Sequence, residues 1–412
     1  MTRLDRWLQA KQGKVYRYKM EKIQYALDLL GHPEKGLPVV HVAGTNGKGS
    51  TIAFLKKLLE LHGFRVGTFV SPHLVTVHDR ICINGQPIPE ATFQKWMERI
   101  FVLEQKVEQV YEPFRYFEVV TLVMLLHFKG QALDFALIEV GIGGLLDTTN
   151  VVDPLVTLIT SIGLDHQDLL GSRLEDIAEQ KAGIIKPGVP VVVGPVDSIA
   201  LAVCRKKARA LQAPFYCEGV DFSLKDGLFT NRTNRLGNLK LGLAGRHQEN
   251  NASLALQVFC LLMEERRCPI EEKIVQRALE TTTWAGRLEN VGKGGRIYLD
   301  GAHNLPAIEC LVDFIQSFSE QRVTILFSAL KRKDFKKMLE CIEKRVPHAE
   351  LVLTSFAYDG GLREHDCPDH LLYVADYAQF IKEWEMEAKC DERLFITGSL
   401  YFISEVRKYF LK

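Results

Sequence analysis

HVAGTNGKGST, residues 41–51, decides the fold through what stands on either side of it. Upstream, Leu37–Val42 (LPVVHV) is a short β-branched run of the kind that forms a buried strand. Downstream, Ile52–His62 (IAFLKKLLELH) sets Ile52, Phe54, Leu55, Leu58, Leu59 and Leu61 at helical spacing with lysines between. Strand, glycine turn and helix in that order offer backbone N–H groups and a helix N-terminus to an anion. Gly44, Gly47 and Gly49 permit close backbone approach, while Lys48 brings a mobile positive charge to the outer phosphates of a nucleotide. Thr45, Asn46, Ser50 and Thr51 complete the stretch. The spacing departs from G-x-x-x-x-G-K-[ST], because Gly49 separates Lys48 from Ser50. The flanking elements favour a phosphate loop over a glycine turn that binds nothing.

Working outward, 412 residues exceed what one hydrophobic core usually supports, so two domains are expected. A net charge of +1 lacks the basic excess that nucleic acid or an anionic membrane surface selects, so neither is an expected partner. The nine cysteines include no C-x-x-C pair, which fits a reducing cytoplasm and argues against a zinc ribbon or disulfide scaffold. The first residues, MTRLDRWLQAKQGK, lack an apolar signal core, and no apolar run approaches the roughly 20 residues that span a bilayer. A cytoplasmic protein is expected.

The pattern along the chain alternates strand and helix. Helices are expected at Asp5–Gln9 and Lys19–Leu30, then the phosphate loop, then a strand at Phe64–Val70 leading into Ser71-Pro72-His73-Leu74. Val75–Pro89 reads as a long turn-rich loop around Asn84-Gly85. Helix follows at Glu90–Glu108, and Tyr116–Phe128 is apolar nearly all round, as in a buried helix. Strands Leu133–Val140, Pro154–Thr160 and Val189–Val193 alternate with helices Arg173–Lys181 and Asp197–Ala210. This predicts a parallel sheet whose ligands gather at the carboxyl ends of its strands, where Ser71, Glu139 and His166 fall. Phe215–Leu243 reads as a small antiparallel excursion, followed by helices His247–Glu264 and Ile270–Thr281. A second, smaller Rossmann-like α/β series begins at Arg296–Asp300, continues through an expected helix at Pro368–Ala388, and places the domain boundary at 288/289. The fold class is thus α/β: a phosphate-loop parallel sheet over 1–288 and a smaller α/β domain over 289–412.

These motifs, taken in order, resemble the folylpolyglutamate synthase and dihydrofolate synthase family, within the Mur-type ATP-dependent amide ligases. The resemblance rests on HVAGTNGKGST, Ser71-Pro72-His73-Leu74, Phe117-Glu118 with Thr121, and Glu139-Val-Gly-Ile-Gly-Gly with Asp147 and Thr149-Asn150. It continues through Leu164-Asp165-His166, Lys181-Ala-Gly-Ile-Ile-Lys-Pro-Gly, His247-Gln248 with Asn251-Ala252, Gly286-Arg287, Asp300-Gly-Ala-His-Asn and Thr397-Gly-Ser-Leu-Tyr. It implies that ATP converts a folate carboxylate to an acyl phosphate, which the amine of L-glutamate then attacks with loss of phosphate. Such chemistry requires no enzyme nucleophile, so positioning and charge neutralisation carry it.

The resemblance also implies the site. Gly44 to Thr51, Asn251, Arg287 and Asp300 would contact ATP. Ser71, Glu139, His166 and Lys181 would serve magnesium, with Lys181 carbamylated and a monovalent cation as a further candidate. Lys48, Lys181, Asp300 and His303 would act in catalysis, the second domain closing as a lid over the intermediate. Phe117, Glu118, Thr121, Leu146, Asp147 and Thr148 would hold the pterin. From the residues alone, Glu139 at the end of an apolar strand is the strongest metal candidate. Ser71 reads equally as a turn or helix-cap serine, Lys181 as a helix-end lysine and Phe117 as plain core. Leu145 departs from the family's habit of a polar residue before the aspartate, which leaves open whether a reduced folate or dihydropteroate is the acceptor. A monomer is expected.

A cell-wall Mur ligase would need a further nucleotide-sugar domain of ~100 residues ahead of the loop, and only about forty residues stand there. A GTPase-like switch would want an Asn-Lys-x-Asp motif, and the sequence contains no Asn-Lys dipeptide. A non-catalytic relative that kept only the fold is the third reading, opposed by the presence of Lys48, Glu139, His166, Lys181 and Asp300.

Overall fold

The computed structural model describes residues 2–12, 19–292, 294–331 and 333–410. Two compact units divide the chain. The first comprises 1–240 and 250–282, and the second 241–249 and 283–412.

The first unit opens with helices α1 (Arg3–Gln9) and α2 (Met20–Leu30), the latter stopped by Gly31 at φ +77°. Strand β1 (Val39–Ala43), helix α3 (Lys48–Leu61) and strand β2 (Val66–Phe69) follow. Residues 75–89 are not a plain loop. They form a hairpin, β3 (Ile81–Ile83) and β4 (Gln86–Pro87), which adds an antiparallel edge beside β2. Asn84 and Gly85 both take positive φ, 48° and 75°, as the tightest hairpin turn demands, and the Asn84 side chain accepts the Val66 N–H at 2.8 Å. The turn signal was therefore sound, but the short strands flanking it were too brief to read.

Next come α4 (Glu90–Val107), α5 (Tyr116–Lys129), β5 (Phe135–Glu139), β6 (Pro154–Ile159), the single turn α6 (Gln167–Leu170), α7 (Leu174–Ala182), β7 (Val191–Val193), α8 (Ser198–Ala210) and β8 (Phe215–Cys217). Every residue of α5 from Glu118 to Phe128 is buried, as its unbroken apolar run requires. The eight strands lie in the order β4-β3-β2-β5-β1-β6-β7-β8, parallel from β2 to β8. β8 was expected in the antiparallel excursion, but it pairs parallel with β7. The excursion itself is the three-stranded sheet of β9 (Ser223–Lys225), β10 (Leu228–Thr230) and β11 (Arg235–Leu236). Helices α9 (His247–Arg266) and α10 (Glu272–Glu280) close the series.

Strand β1 sits between β5 and β6, so the chain leaves it first to one side and later to the other. That is the switch point at which parallel sheets bind ligands. Every residue of β1, β2 and β5 is buried, which explains their near-continuous apolar reading. One core packs α1, α2, α4 and α5 around Phe69, Ala136 and Ile138. Another packs α7 and α8 around Ala43, Ile159 and Val193.

The second unit holds β12 (Glu289–Val291), β13 (Ile297–Leu299), α11 (Leu305–Ile315), β14 (Arg322–Phe327), α12 (Phe335–Arg345), β15 (Glu350–Thr354), β16 (Leu372–Val374), α13 (Tyr377–Glu387), β17 (Glu392–Thr397) and α14 (Leu400–Phe410). Its sheet runs β12-β13-β17-β14-β15-β16, parallel except for β12. The helix expected over 368–388 is in fact strand β16 followed by α13. Asp376 makes the break by accepting the Ala378 and Gln379 N–H groups at 2.9 and 3.0 Å, an N-cap in mid-run. Among the described residues no helix is long and apolar enough to cross a membrane.

Candidate active site

The turn between β1 and α3 is held from behind by the end of β6. Thr160 and Ser161 hydroxyls both donate to the Asn46 carbonyl, at 2.6 and 3.0 Å, and the Asn46 N–H donates to Ser161 Oγ at 2.9 Å. Thr45 Oγ1 accepts the Gly163 N–H at 3.0 Å, and the Thr45 N–H donates to the Ser161 carbonyl at 2.9 Å. Two glycines are required here. A Cβ on Gly44 would overlap the Thr160 hydroxyl, and one on Gly47, whose φ is 87°, would overlap the Asn251 side-chain oxygen. The loop is thus fixed before any ligand arrives, with the open N-terminal turn of α3 following it.

Lys48, the first residue of α3, donates from Nζ to the Gly44 carbonyl at 2.9 Å and stands 3.8 Å from the Glu139 carboxylate. Glu139 ends β5, in register beside Val42 of β1, and its other oxygen accepts the Ser71 N–H at 2.9 Å. Three of the residues singled out from sequence, Lys48, Ser71 and Glu139, are therefore brought together at adjacent strand ends. His166 takes a left-handed backbone, φ 51°, ahead of α6, and its N–H donates to the Asp165 carboxylate at 2.9 Å. Lys181 lies buried near the end of α7. Burial, and then the charge of Lys48, lower its pKa to about 7 against the opposing pull of Asp165 and Asp147. Among the described residues no three His, Cys, Asp or Glu side chains gather in a metal-holding cluster. The donors fit magnesium all the same, because that ion is commonly held by one or two carboxylates with phosphate oxygens and water completing its shell.

The residues expected to hold the pterin divide into two kinds. Phe117 lies against Gly141, where a Cβ would come within 2.6 Å of the ring, and packs on Phe69 at 5.7 Å between centroids. Leu146 is half-buried. Glu118, by contrast, is fully buried. It pairs with the buried Lys22 at 2.8 Å and caps α5 by accepting the Arg115 N–H at 2.7 Å. Thr121 and Thr148 share a hydrogen bond at 3.0 Å with no exposed surface. Asp147, also fully buried, accepts the Ile142 N–H at 3.0 Å and the Thr149 N–H at 3.0 Å, and burial pushes its pKa upward. The loop from Gly141 to Thr149 is thus wound around Asp147.

In the second unit, Asp300 follows β13. It is half-buried and accepts the Leu288 and Ala302 N–H groups, both at 2.9 Å. Burial raises its pKa, while Arg287 and His247 act in the opposite direction; burial lowers that of His247. Arg287 leaves a turn braced by Glu289, which accepts the Gly286 N–H at 2.8 Å and pairs with Arg407 at 3.0 Å. His303 Nδ1 donates to the Gly301 carbonyl at 2.8 Å, and since a carbonyl only accepts, Nδ1 carries the hydrogen.

Comparison with known proteins gives this arrangement its family. The Mur ligase middle domain matches residues 42–259, and the Mur ligase glutamate ligase domain matches 286–400. A Bacillus subtilis protein, dihydrofolate synthase/folylpolyglutamate synthase, is 35% identical over 98% of this chain and 97% of its own length. The folylpolyglutamate synthase of Lacticaseibacillus casei is 30% identical over 95% of this chain and 94% of its own. The chain belongs to the folylpolyglutamate synthase and dihydrofolate synthase family. A solved structure of E. coli FolC in complex with DHPP and ADP superposes with a TM-score of 0.87 at 29% identity, covering 99% of this chain and 97% of that one. As a member of this family the chain is an ATP-dependent ligase that joins glutamate to a folate. The switch and the catalytically silent relative are thereby set aside.

Within this family member, sequence reasoning passed over Thr160 and Ser161, which shape the phosphate loop. Their signal was present: Thr160 ends the expected strand Pro154–Thr160 and Ser161 follows it, where ligand-binding groups collect. Lys22, the partner of Glu118, gave no signal, since a lysine on an amphipathic helix ordinarily faces water.

Proposed function

We propose that this ligase acts on both dihydropteroate and reduced folates, each activated at the β1–α3 loop as an acyl phosphate. The observation carrying activation at the loop is the meeting of Lys48, Glu139 and the Ser71 N–H at adjacent strand ends. The use of both acceptors is supported by the 35% identical Bacillus subtilis relative, which is named for both activities. Lys48 holds the β- and γ-phosphates. The acceptor carboxylate attacks the γ-phosphorus and ADP leaves. The glutamate amine then attacks the acyl carbon, losing a proton, and phosphate departs. Asn251, Arg287 and Asp300 contact the nucleotide, and Asp300 and His303 serve the glutamate side of the reaction. Phe117, Glu118, Thr121, Leu146, Asp147 and Thr148 form and support the acceptor site.

Ser71, Glu139 and His166 would hold magnesium, which would supply charge neutralisation at the transferring phosphate. Lys181 adds carbon dioxide at its neutral amine and releases a proton, becoming a carbamate. The pKa near 7 supports this, because only an uncharged amine makes that addition. The enzyme works as a cytoplasmic monomer.

The test offers the purified protein ATP, magnesium and L-glutamate with dihydropteroate or a reduced folate, and identifies products by mass. Both acceptors should gain one glutamate residue, and Lys48→Ala should abolish both reactions by about 10³-fold or more. A product with only one acceptor would overturn the dual specificity, and an active Lys48→Ala would overturn the phosphate role.

A further inference from the structure

His41 is the one imidazole in a strand otherwise made of valine and alanine, and it is wholly buried three residues before Gly44. Its Nε2 lies 2.9 Å from Thr149 Oγ1, which lies 2.6 Å from Asp147 Oδ1. The direction of this chain follows from counting hydrogens. Asp147 accepts the Thr149 hydroxyl as well as backbone N–H groups on both of its oxygens. The Thr149 hydroxyl must then spend its single hydrogen on Asp147 and receive one from His41. The hydrogen of His41 is therefore on Nε2. Its Nδ1 is buried without a hydrogen-bond partner among the described residues, which suits a bare lone pair better than a stranded N–H. Burial lowers the His41 pKa to about 3, which keeps the ring a neutral donor at any working pH. Thr148, the neighbour of Thr149 in sequence, shares a separate buried hydrogen bond with Thr121.

The His41–Thr149–Asp147 chain links two pieces of machinery that are distant in sequence. One end is the strand that carries the phosphate loop. The other is the Gly141–Thr149 loop, whose shape Asp147 dictates from within. We propose that His41 and Thr149 are positioning residues for the acceptor: by anchoring Asp147 to β1, they fix the acceptor's carboxylate relative to the phosphate it must attack. This rests on the reading that the loop and Phe117 form the acceptor site. A buried polar group in a tight apolar strand costs stability unless it is hydrogen-bonded, and here that bond points at the loop. Misplacement by a fraction of an ångström lowers productive attack and leaves the bound ATP open to water.

The test compares steady-state kinetics of the parent, Thr149→Val, Thr149→Ser, His41→Leu and Phe117→Ala. Thr149→Val keeps the side-chain volume and deletes the link. It should raise the KM of the acceptor about tenfold and increase the ratio of phosphate released to amide formed, with the KM for ATP within about twofold of the parent. Thr149→Ser, which restores the hydroxyl, should bring both readouts back towards the parent, and His41→Leu should follow Thr149→Val. Acceptor KM and coupling ratio unchanged in Thr149→Val, or an ATP KM rising in equal proportion, would overturn the proposal. Phe117→Ala separates the two levels. If it too leaves the acceptor KM unchanged, the acceptor-site reading fails; if it raises that KM while Thr149→Val does not, the positioning role alone fails.

Discussion

Lys181 is a lysine kept close to neutrality by its surroundings, and this makes a pH signature. In the fold its pKa is about 7, against an ordinary 10.5 that the unfolded chain retains. Between those values the unfolded chain binds more protons, so stability rises with pH across that window, and the cost of burying the charge is present in full below pH 7. In bicarbonate-free buffer Lys181→Met should therefore raise stability relative to the parent at pH 7, with the gain shrinking towards pH 10. Urea denaturation at several pH values measures it, and a gain independent of pH would contradict the assignment. Lys48 and Glu139 were legible in the sequence because local pattern alone points to them, at a strand–turn–helix and at a strand end, whereas Ser71 needed the family resemblance. Thr149, Thr160 and Ser161 were not legible, because a hydroxyl's role depends on its partner. For Thr149 that partner is His41, more than a hundred positions away.

At the scale of elements, the start of α5 is tied to α2 by the buried Lys22–Glu118 pair, and to α1 through Glu104. Glu104 pairs with Lys11 at 2.6 Å and accepts the Trp7 indole N–H at 2.8 Å and the Phe114 N–H at 2.7 Å. The N-terminal helices thereby hold the segment that delivers Phe117. Lys22→Met should cost about 3 kcal/mol, since it strands a carboxylate in the core, whereas Lys22→Met combined with Glu118→Leu should recover much of that loss. Denaturant midpoints of the single and double variants give the comparison. An additive loss in the double variant would contradict the pairing. Most elements were legible from periodicity, α5 most clearly. The failures share one physical cause: β3, β4, β8 and β16 have only two or three residues each, so sheet pairing rather than local preference creates them.

At the scale of the molecule, alternation of strand and helix was enough to foretell two α/β series and, through the carboxyl ends of a parallel sheet, the ligand end of the larger one; the switch point at β1 appears only in the strand order. The residues that the family resemblance assigns are shared between the two units. Lys48, Glu139, His166 and Lys181 belong to the first, and Arg287, Asp300 and His303 to the second. The division at 282/283, with 241–249 grouped with the second unit, could not be read from composition, because α9 runs unbroken across residue 249. The proposed reaction makes one demand of the whole enzyme, that the acceptor's carboxylate be phosphorylated before glutamate attacks. Turnover of an acceptor labelled with ¹⁸O in that carboxylate, followed by mass analysis of the released phosphate, tests this directly. One labelled oxygen in each phosphate is the predicted result; phosphate released without label, alongside a normal yield of amide, would contradict it.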